Sequence, residues 1–410
     1  MSDKIKILFQ PSDLAGVGHF RSIWPAQEIQ RKYKDSFEVK IDLSPNFNDL
    51  ESLKKYDIIH FHRHFGPIER IDEIFDTLKS AGVTMIMDID DYWSPPTTHP
   101  MYHAAKSENI EEKIIKTIKK SDYVTTTTDI FAKEIAKYNK NVIVMPNAID
   151  SEHKMWKQDE TAEKFDKLRV SWIGGSSHLE DLKLMETSMA KLNSDDSLKD
   201  KYQIILCGFD TRGHITEINQ QTGQKKTRKI KPEESVWNRF EKIFTSDYKI
   251  VDEDYRKFLS EFKNEKYPED YSKLNYVRRW TLPLTQYGKH YSFCDVCLAP
   301  LVHNKFNEVK SELKIIEAGM TKKVLIAQDF GVYKELIEDG ENGFLVKDNR
   351  NHKDWYKNIK KLINNPEEVK RISENLHNFV KEKYDLKNVT KSRVESYLKL
   401  HKEKSEVAVN

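Results

Sequence analysis

Six short apolar runs alternate with amphipathic stretches through residues 1–150, and this alternation restricts the available folds more than any other feature. KIKILFQ, FEVKIDL, YDIIHFH, TMIMDID, DYVTTTT and NVIVMP read as strands. HFRSIWPAQEIQRKY, PIERIDEIFDTLKSA, IEEKIIKTIKK and DIFAKEIAKYN, lying between them, read as helices. Strands that alternate with helices argue for a parallel sheet covered on both faces. PNAIDSEHKMWKQDETAEKFDKL is polar and strandless, which makes 151–168 a linker. The alternation restarts with RVSWIGG, a helix from about Leu179, and YQIILCG. It breaks after Gly208. Residues 211–275 are rich in lysine and aromatics, and TGQKKTRKIKP resembles a polar hairpin. So long an irregular stretch is an insertion rather than a loop. The sheet pattern resumes at FCDVCLAP, KKVLIAQD and GFLV, and two long helical segments follow from about His352. The expectation is an α/β chain of two Rossmann-like, doubly wound domains, 1–150 and 169–385. The insertion 211–275 lies in the second, and a last helix covers 386–410.

Composition narrows the function classes. With 33% charged residues and 38% hydrophobic ones the chain is a globular one with a highly charged surface, and its net charge of +2 creates no global attraction for nucleic acid or membrane. No apolar run approaches the ~18 residues of a membrane span. MSDKIKILFQPSD has neither a long apolar region nor a small-residue cleavage site and reads as a first strand, not a signal peptide. Three cysteines, an odd and low count, suit a reducing cytoplasm. Cys294 and Cys297 form a CxxC. A redox role would need helix-start geometry and zinc a second ligand pair; read as a buried strand, the segment points the two sulfurs to opposite faces.

In parallel α/β sheets ligands bind beyond the carboxyl ends of strands, so the residues that follow strands are the informative ones. DLAGVGHFRS follows the first strand. Gly16 and Gly18 permit close backbone approach, but Arg21 occupies the third glycine position of a dinucleotide fingerprint, so no NAD site is expected; a phosphate- or acceptor-facing loop and a plain tight turn both remain open. MDIDDYWSPPTTHP places Asp88, Asp90 and Asp91 at a strand end. Mutual repulsion would leave one of them proton-accepting at neutral pH, oxygen ligation of a divalent metal is a second use, and loop capping a third. In SWIGGSSHLEDL, Gly174 and Gly175 turn from a strand into a helix that Ser176 or Ser177 could cap, and His178 in the first turn could donate to an oxyanion. In NEVKSELKIIEAG, a helix beginning near Val309 stacks Lys310, Lys314 and Glu317 on one face, with Lys310 and Ser311 at its positive end. A lysine there opposes the helix dipole unless an anion compensates. Two lysines neutralise a diphosphate and a carboxylate accepts both ribose hydroxyls, an order that matches a nucleotide diphosphate. An ordinary solvated face is the alternative.

These stretches together resemble GT-B fold glycosyltransferases of the retaining family 4 type, over the whole chain outside 211–275. VMPNAID resembles the segment that closes the N-terminal domain of that family, SWIGGSSHLEDL its glycine loop, and LKIIEAGMTKKVLIAQDFGVYKELIEDGENGFLV its donor-binding core. The family often carries a glutamate eight residues before the ribose glutamate. Here Val309 stands there and NEVKSELK forms a variant donor motif. The resemblance implies two Rossmann-like domains facing across a cleft, with residues 386–410 returning to the N-terminal domain, and sugar transfer from a UDP- or GDP-linked donor without a metal or other cofactor. Glu317 would hold the ribose. Lys310, Lys314 and Ser311 would meet the diphosphate. Gly174, Gly175 and His178 would approach the phosphates or nucleoside, and Gly16, Gly18 and His19 would face the donor phosphate from the first domain. Asp90 or Asp91 would orient or deprotonate the acceptor hydroxyl, or contact the donor sugar. Domain closure would exclude water.

Two other classes compete: a sugar-nucleotide epimerase of the same fold, and a non-catalytic partner protein that uses 211–275 as an arm. The acceptor candidates are a glycan such as a surface polysaccharide, a lipid-linked glycan reached by peripheral contact at the inner face of a membrane, a glycoprotein, or a modified base. The small net charge argues against duplex DNA, although TGQKKTRKIKP is a local basic strip.

Overall fold

The computed structural model describes residues 4–157, 166–210, 214–218, 224–231, 234–245, 274–347 and 353–409. Contacts divide the chain into two compact units: one of residues 1–153, 304–320 and 378–410, the other of 154–303 and 321–377. Residues 304–320 and 378–385, expected in the second domain, thus group with the first unit. Most of 211–275 lies outside the described residues, as do 158–165 of the expected linker.

All six strands expected in 1–150 are present: β1 (Ile5–Gln10), β2 (Phe37–Ile41), β3 (Ile58–His62), β4 (Thr84–Asp88), β5 (Tyr123–Thr126) and β6 (Val142–Val144). They form one parallel sheet in the order β2-β1-β3-β4-β5-β6. β3 and β4 are buried at every position, as continuous apolar runs demand, whereas the edge strand β2 is mostly accessible. The helix Ile71–Ser80 buries Ile71, Ile74, Phe75 and Leu78, a 3–4 spacing that lays one stripe on the sheet. The opposite face is covered by Ala26 and Ile29 and by Val394, Tyr397 and Leu400 of the helix Leu386–Val409. His60, buried on β3, meets Thr125 Oγ1 at 2.9 Å and the Tyr397 hydroxyl at 2.7 Å. Burial drives its pKa down to about 3, so a neutral imidazole joins helix to sheet.

The second unit is built on β7 (Leu168–Ile173), β8 (Tyr202–Phe209), a two-stranded antiparallel pair β9 (His214–Ile218) and β10 (Lys225–Lys229), then β11 (Tyr276–Trp280), β12 (Val296–Ala299), β13 (Val324–Gln328) and β14 (Phe344–Val346). Its parallel sheet runs β11-β8-β7-β12-β13-β14. β11 was not apparent in the sequence, because YVRRW carries two arginines; both are buried, and Arg278 lies over Phe209 while Arg279 lies over Phe293. The two parallel sheets with flanking helices are the GT-B type of α/β architecture.

The CxxC departs from its expected geometry. The strand starts only at Val296, and Cys294 caps the 3-10 segment Leu284–Phe293. The expected divergence of the side chains is not seen: the two sulfurs lie 3.3 Å apart.

Candidate functional site

In the first unit, the carboxyl ends of β1, β3 and β4 bring chemistry-bearing residues together. Past β1, Asp13 Oδ1 accepts the N–H groups of Ala15 at 2.8 Å and Gly18 at 3.1 Å. Burial opposes ionisation of Asp13, but these bonds and the Ser12 hydroxyl outweigh it and hold the carboxyl below its usual range. A Cβ on Gly18 would meet Asp13 O at 1.9 Å, so the tight turn requires glycine there, while the space beside Gly16 is open. His19 lies one residue on, its Nδ1 2.9 Å from Ala15 O.

The mutual repulsion expected of the aspartates does not govern Asp88 and Asp90, because each has a cation of its own. Arg21, buried, donates to both Asp88 oxygens at 2.6 and 2.9 Å, and Thr125 Oγ1 donates to Asp88 Oδ1 at 2.6 Å. Asp88 is therefore occupied inside the fold, and burial's upward push on its pKa is outweighed by Arg21. Asp90 Oδ1 meets His62 Nε2 at 2.9 Å and Arg63 Nη2 at 3.1 Å; Arg63 also reaches Asp91 at 3.3 Å. Burial of Asp90 favours the neutral form, yet His62 and Arg63 win and its pKa is well below the usual range. Both Asp90 bonds fall on Oδ1, leaving Oδ2 to accept from a ligand. His62 Nδ1 meets Ser12 Oγ at 2.9 Å, so a hydrogen-bonded chain runs from the glycine turn through Ser12 and His62 to Asp90 and Arg63. Arg63 sits at φ 64°, a left-handed backbone uncommon outside glycine, as functional turns often are.

The lysine stripe is shorter than expected. Lys305–Glu308 forms one helical turn, and the next helix is Leu313–Met320, so Lys310 and Ser311 precede it instead of standing at its first turn. The cause is burial: Val309 is inserted in the sheet-face core beside Trp93 and Phe131, and Glu312 is buried at the helix entry. A glutamate at 309 would be an uncompensated charge in that core. Lys310 Nζ lies 4.7 Å above the Phe306 ring. Lys314, in the first turn, donates to the buried Glu317 at 2.8 Å. The dipole argument thus transfers from Lys310 to Lys314, and Glu317 supplies the compensating charge.

Glu312 was missed in the sequence, where it reads as an ordinary surface residue. Its Oε1 accepts the Asn147 N–H at 2.7 Å and its Oε2 is buried without a partner. Burial raises its pKa to about 7, against the pull of Arg21 and Arg393. Those arginines grip the same segment: Arg21 donates to Met145 O and Asn147 Oδ1, and Arg393 to Pro146 O at 2.7 Å. PNAID is therefore held in place by buried charges.

In the second unit, Gly174 and Gly175 follow β7. A Cβ on Gly174 would meet the Trp172 ring at 2.6 Å, and one on Gly208, at φ 97°, would meet Gly174 O at 2.2 Å. Two glycines thus let the ends of β7 and β8 touch, while Gly175 faces open space. Neither Ser176 nor Ser177 caps the following helix: Gly175 and His178 occupy the cap positions, with no side-chain cap bond. His178 Nδ1 is 2.8 Å from Asp181, whose other oxygen accepts the Val302 N–H at 2.8 Å. Asp181 fixes the imidazole and the end of β12 together; SWIGGSSHLEDL held this signal as an i, i+3 His–Asp pair. Among the described residues no group of three or more His, Cys, Asp or Glu is placed to hold a metal ion, and no helix is long and apolar enough to cross a membrane.

Residues 294–379, which contain Lys310, Ser311, Lys314 and Glu317, match the family described as glycosyl transferases group 1. The chain is similar over 96% of its length to the whole of Anabaena HepE, solved with UDP-glucose, at 14% identity and a TM-score of 0.58. A glycosyltransferase from Rickettsia africae matches over 98% of this chain and 99% of its own at 12% identity and a TM-score of 0.58. Sucrose-phosphate synthase from Thermosynechococcus elongatus does so over 97% and 99%, at 13% identity and a TM-score of 0.58. No curated protein sequence matches the chain.

Proposed function

We propose that this chain, which carries a glycosyl transferases group 1 segment on a GT-B architecture, moves a hexosyl group from a nucleotide-diphosphate sugar to an acceptor hydroxyl, with retention and without a metal. The reading rests on one observation above the others: the matched segment contains a buried carboxylate, Glu317, beside a lysine in the first turn of a helix. UDP is the favoured nucleotide, since HepE, a protein of similar fold, was solved with UDP-glucose. GDP is the second choice. The acceptor is a glycan or a lipid-linked glycan.

The chemistry follows from charge. When the anomeric carbon parts from the diphosphate, negative charge develops on the leaving phosphate. Lys314, the helix entry at Leu313 and the Lys310 ammonium are the chain's means of stabilising it. Lys314 donates to Glu317. A diphosphate would compete for that ammonium, and Glu317 would accept the ribose hydroxyls. Gly16, Gly18 and His19, and separately Gly174, Gly175 and His178, are proposed as further donor-contacting residues, each set following a strand end of its own sheet. Asp90 suits orientation better than proton abstraction. Its lowered pKa makes it a weak base, while Oδ2 can accept a sugar hydroxyl without moving.

The test is a thermal-shift and calorimetric panel of UDP, GDP, ADP, CMP and TDP with matching sugar nucleotides, on wild type and Glu317→Gln. A selective rise with one nucleotide, weakened about tenfold or more in the variant, supports the assignment, because a hydrogen bond to a charged group is worth about 1.5–3 kcal/mol. Absence of a shift with every nucleotide refutes it. Analysis of the product separates transfer from epimerisation.

A further inference from the structure

The second unit holds a nucleophilic cluster away from the glycine loop. Val296 pairs with Val170 and Val324, so the turn 294–297 lies at the amino ends of β7, β12 and β13, opposite the ends that lead to Gly174 and Gly175. There Cys294 Sγ and Cys297 Sγ are 3.3 Å apart, in a wholly protein-lined site: Cys294 is 0% exposed and Cys297 5%. A disulfide needs about 2.05 Å between sulfurs, so closure requires the pair to approach by about 1.3 Å. Cys294 lies outside the strand, whereas Cys297 is paired in the ladder.

The surroundings prepare a thiolate. Lys323, buried, directly precedes β13 and acts on Cys294. The Asp295 carboxylate opposes it, although Arg169 donates to both of its oxygens at 2.7 and 3.0 Å. Burial alone raises a thiol's pKa. At Cys294 the hydrogen bonds with Cys297 and Ser171 and the Lys323 charge outweigh it, and the net direction is downward.

We infer that Cys294 and Cys297 are a redox-active dithiol that closes to an intrachain disulfide on meeting a small organic disulfide. Because Cys294 is 0% exposed, the turn 294–297 must open first; the Cys294 thiolate then attacks one sulfur of the oxidant and expels one thiolate. Cys297 then attacks Cys294 Sγ in the mixed disulfide and expels the second. One external disulfide is reduced to two thiols, which carry away both cysteine protons, and one internal disulfide is formed.

The test equilibrates the full chain in 2-hydroxyethyl disulfide and 2-mercaptoethanol at graded ratios, quenches in acid, alkylates in denaturant and weighs the peptide spanning 294–297. The expected result is loss of two alkylation sites together, a peptide lighter by two hydrogens, and Cys207 still alkylated. Cys297→Ala should hold the probe on Cys294 as a mixed disulfide, with no intrachain bond. Lys323→Met should slow closure at pH 7, because it removes an ammonium that favours the thiolate. Circular dichroism confirms that each variant is folded before its thiols are counted. Three alkylated cysteines at every ratio in the folded protein overturn the inference, as does closure that appears only in denaturant or that involves Cys207.

Discussion

Replacing Glu312 by glutamine keeps the side chain's shape and an oxygen for the Asn147 N–H, and removes a carboxyl whose second oxygen is buried without a partner. The magnitude follows from linkage. The folded pKa is about 7 and the ordinary value 4.5. Below pH 4.5 both folded and unfolded chains hold the proton, and the group adds no pH dependence. Between 4.5 and 7 the folded chain keeps a proton that the unfolded chain has released, so stability falls as pH rises. Above 7 both forms are ionised and the loss is complete. At about 1.36 kcal/mol per pKa unit the full loss is roughly 3 kcal/mol. Glutamine does not titrate. Its stability relative to wild type should therefore grow by roughly 3 kcal/mol between pH 4.5 and pH 8. Urea unfolding of both proteins across that range supplies the measurement, and taking the difference cancels the other titrating groups. Equal differences at pH 5 and pH 8 would refute the reasoning. They would mean that Arg21 and Arg393, which face Glu312, stabilise the carboxylate as fully as water does.

Other changes are predicted on the same grounds. Arg21→Met strands Asp88 as a buried charge and should cost about 3–5 kcal/mol in urea unfolding, much of it recovered in the Arg21→Met, Asp88→Asn double variant. Gly18→Ala drives a Cβ into the Asp13 carbonyl and should cost about 1–3 kcal/mol while weakening donor binding, read by thermal shift with and without nucleotide. Asp90→Asn should lower kcat/KM about tenfold to a hundredfold by weakening a charged hydrogen bond to the sugar. Because the Asp90 pKa lies well below the usual range, the wild-type pH–rate profile should show no acid limb from it between pH 5 and 8.

The strands of both sheets were legible because their burial is continuous. IIHFH and TMIMD are apolar at nearly every position since both faces are covered, and a parallel sheet writes that pattern into the chain. β11 escaped because its arginines are neutralised by aromatic rings and Glu241 brought from elsewhere in the fold, which no local pattern encodes. The position of the Lys314–Glu317 pair was readable from helical spacing. The helix start was not, since Val309 ends the preceding turn by entering a core assembled from residues between Leu8 and Val142.

Charge state was the least legible property, for a related reason. DIDD suggests three carboxylates in mutual repulsion, with at least one raised pKa. The fold instead assigns Arg21 to Asp88 and His62 with Arg63 to Asp90, drawn from segments 27 or more residues away. Carboxyls that burial does raise are Glu312 and Glu241, both outside that acidic cluster. Desolvation prevails wherever counter-ions do not outweigh it after packing, and that is a property of three-dimensional neighbours. The CxxC makes the same point in reverse. Read as a strand its sulfurs diverge, yet β12 begins only at Val296, two residues past Cys294, and the sulfurs stand 3.3 Å apart.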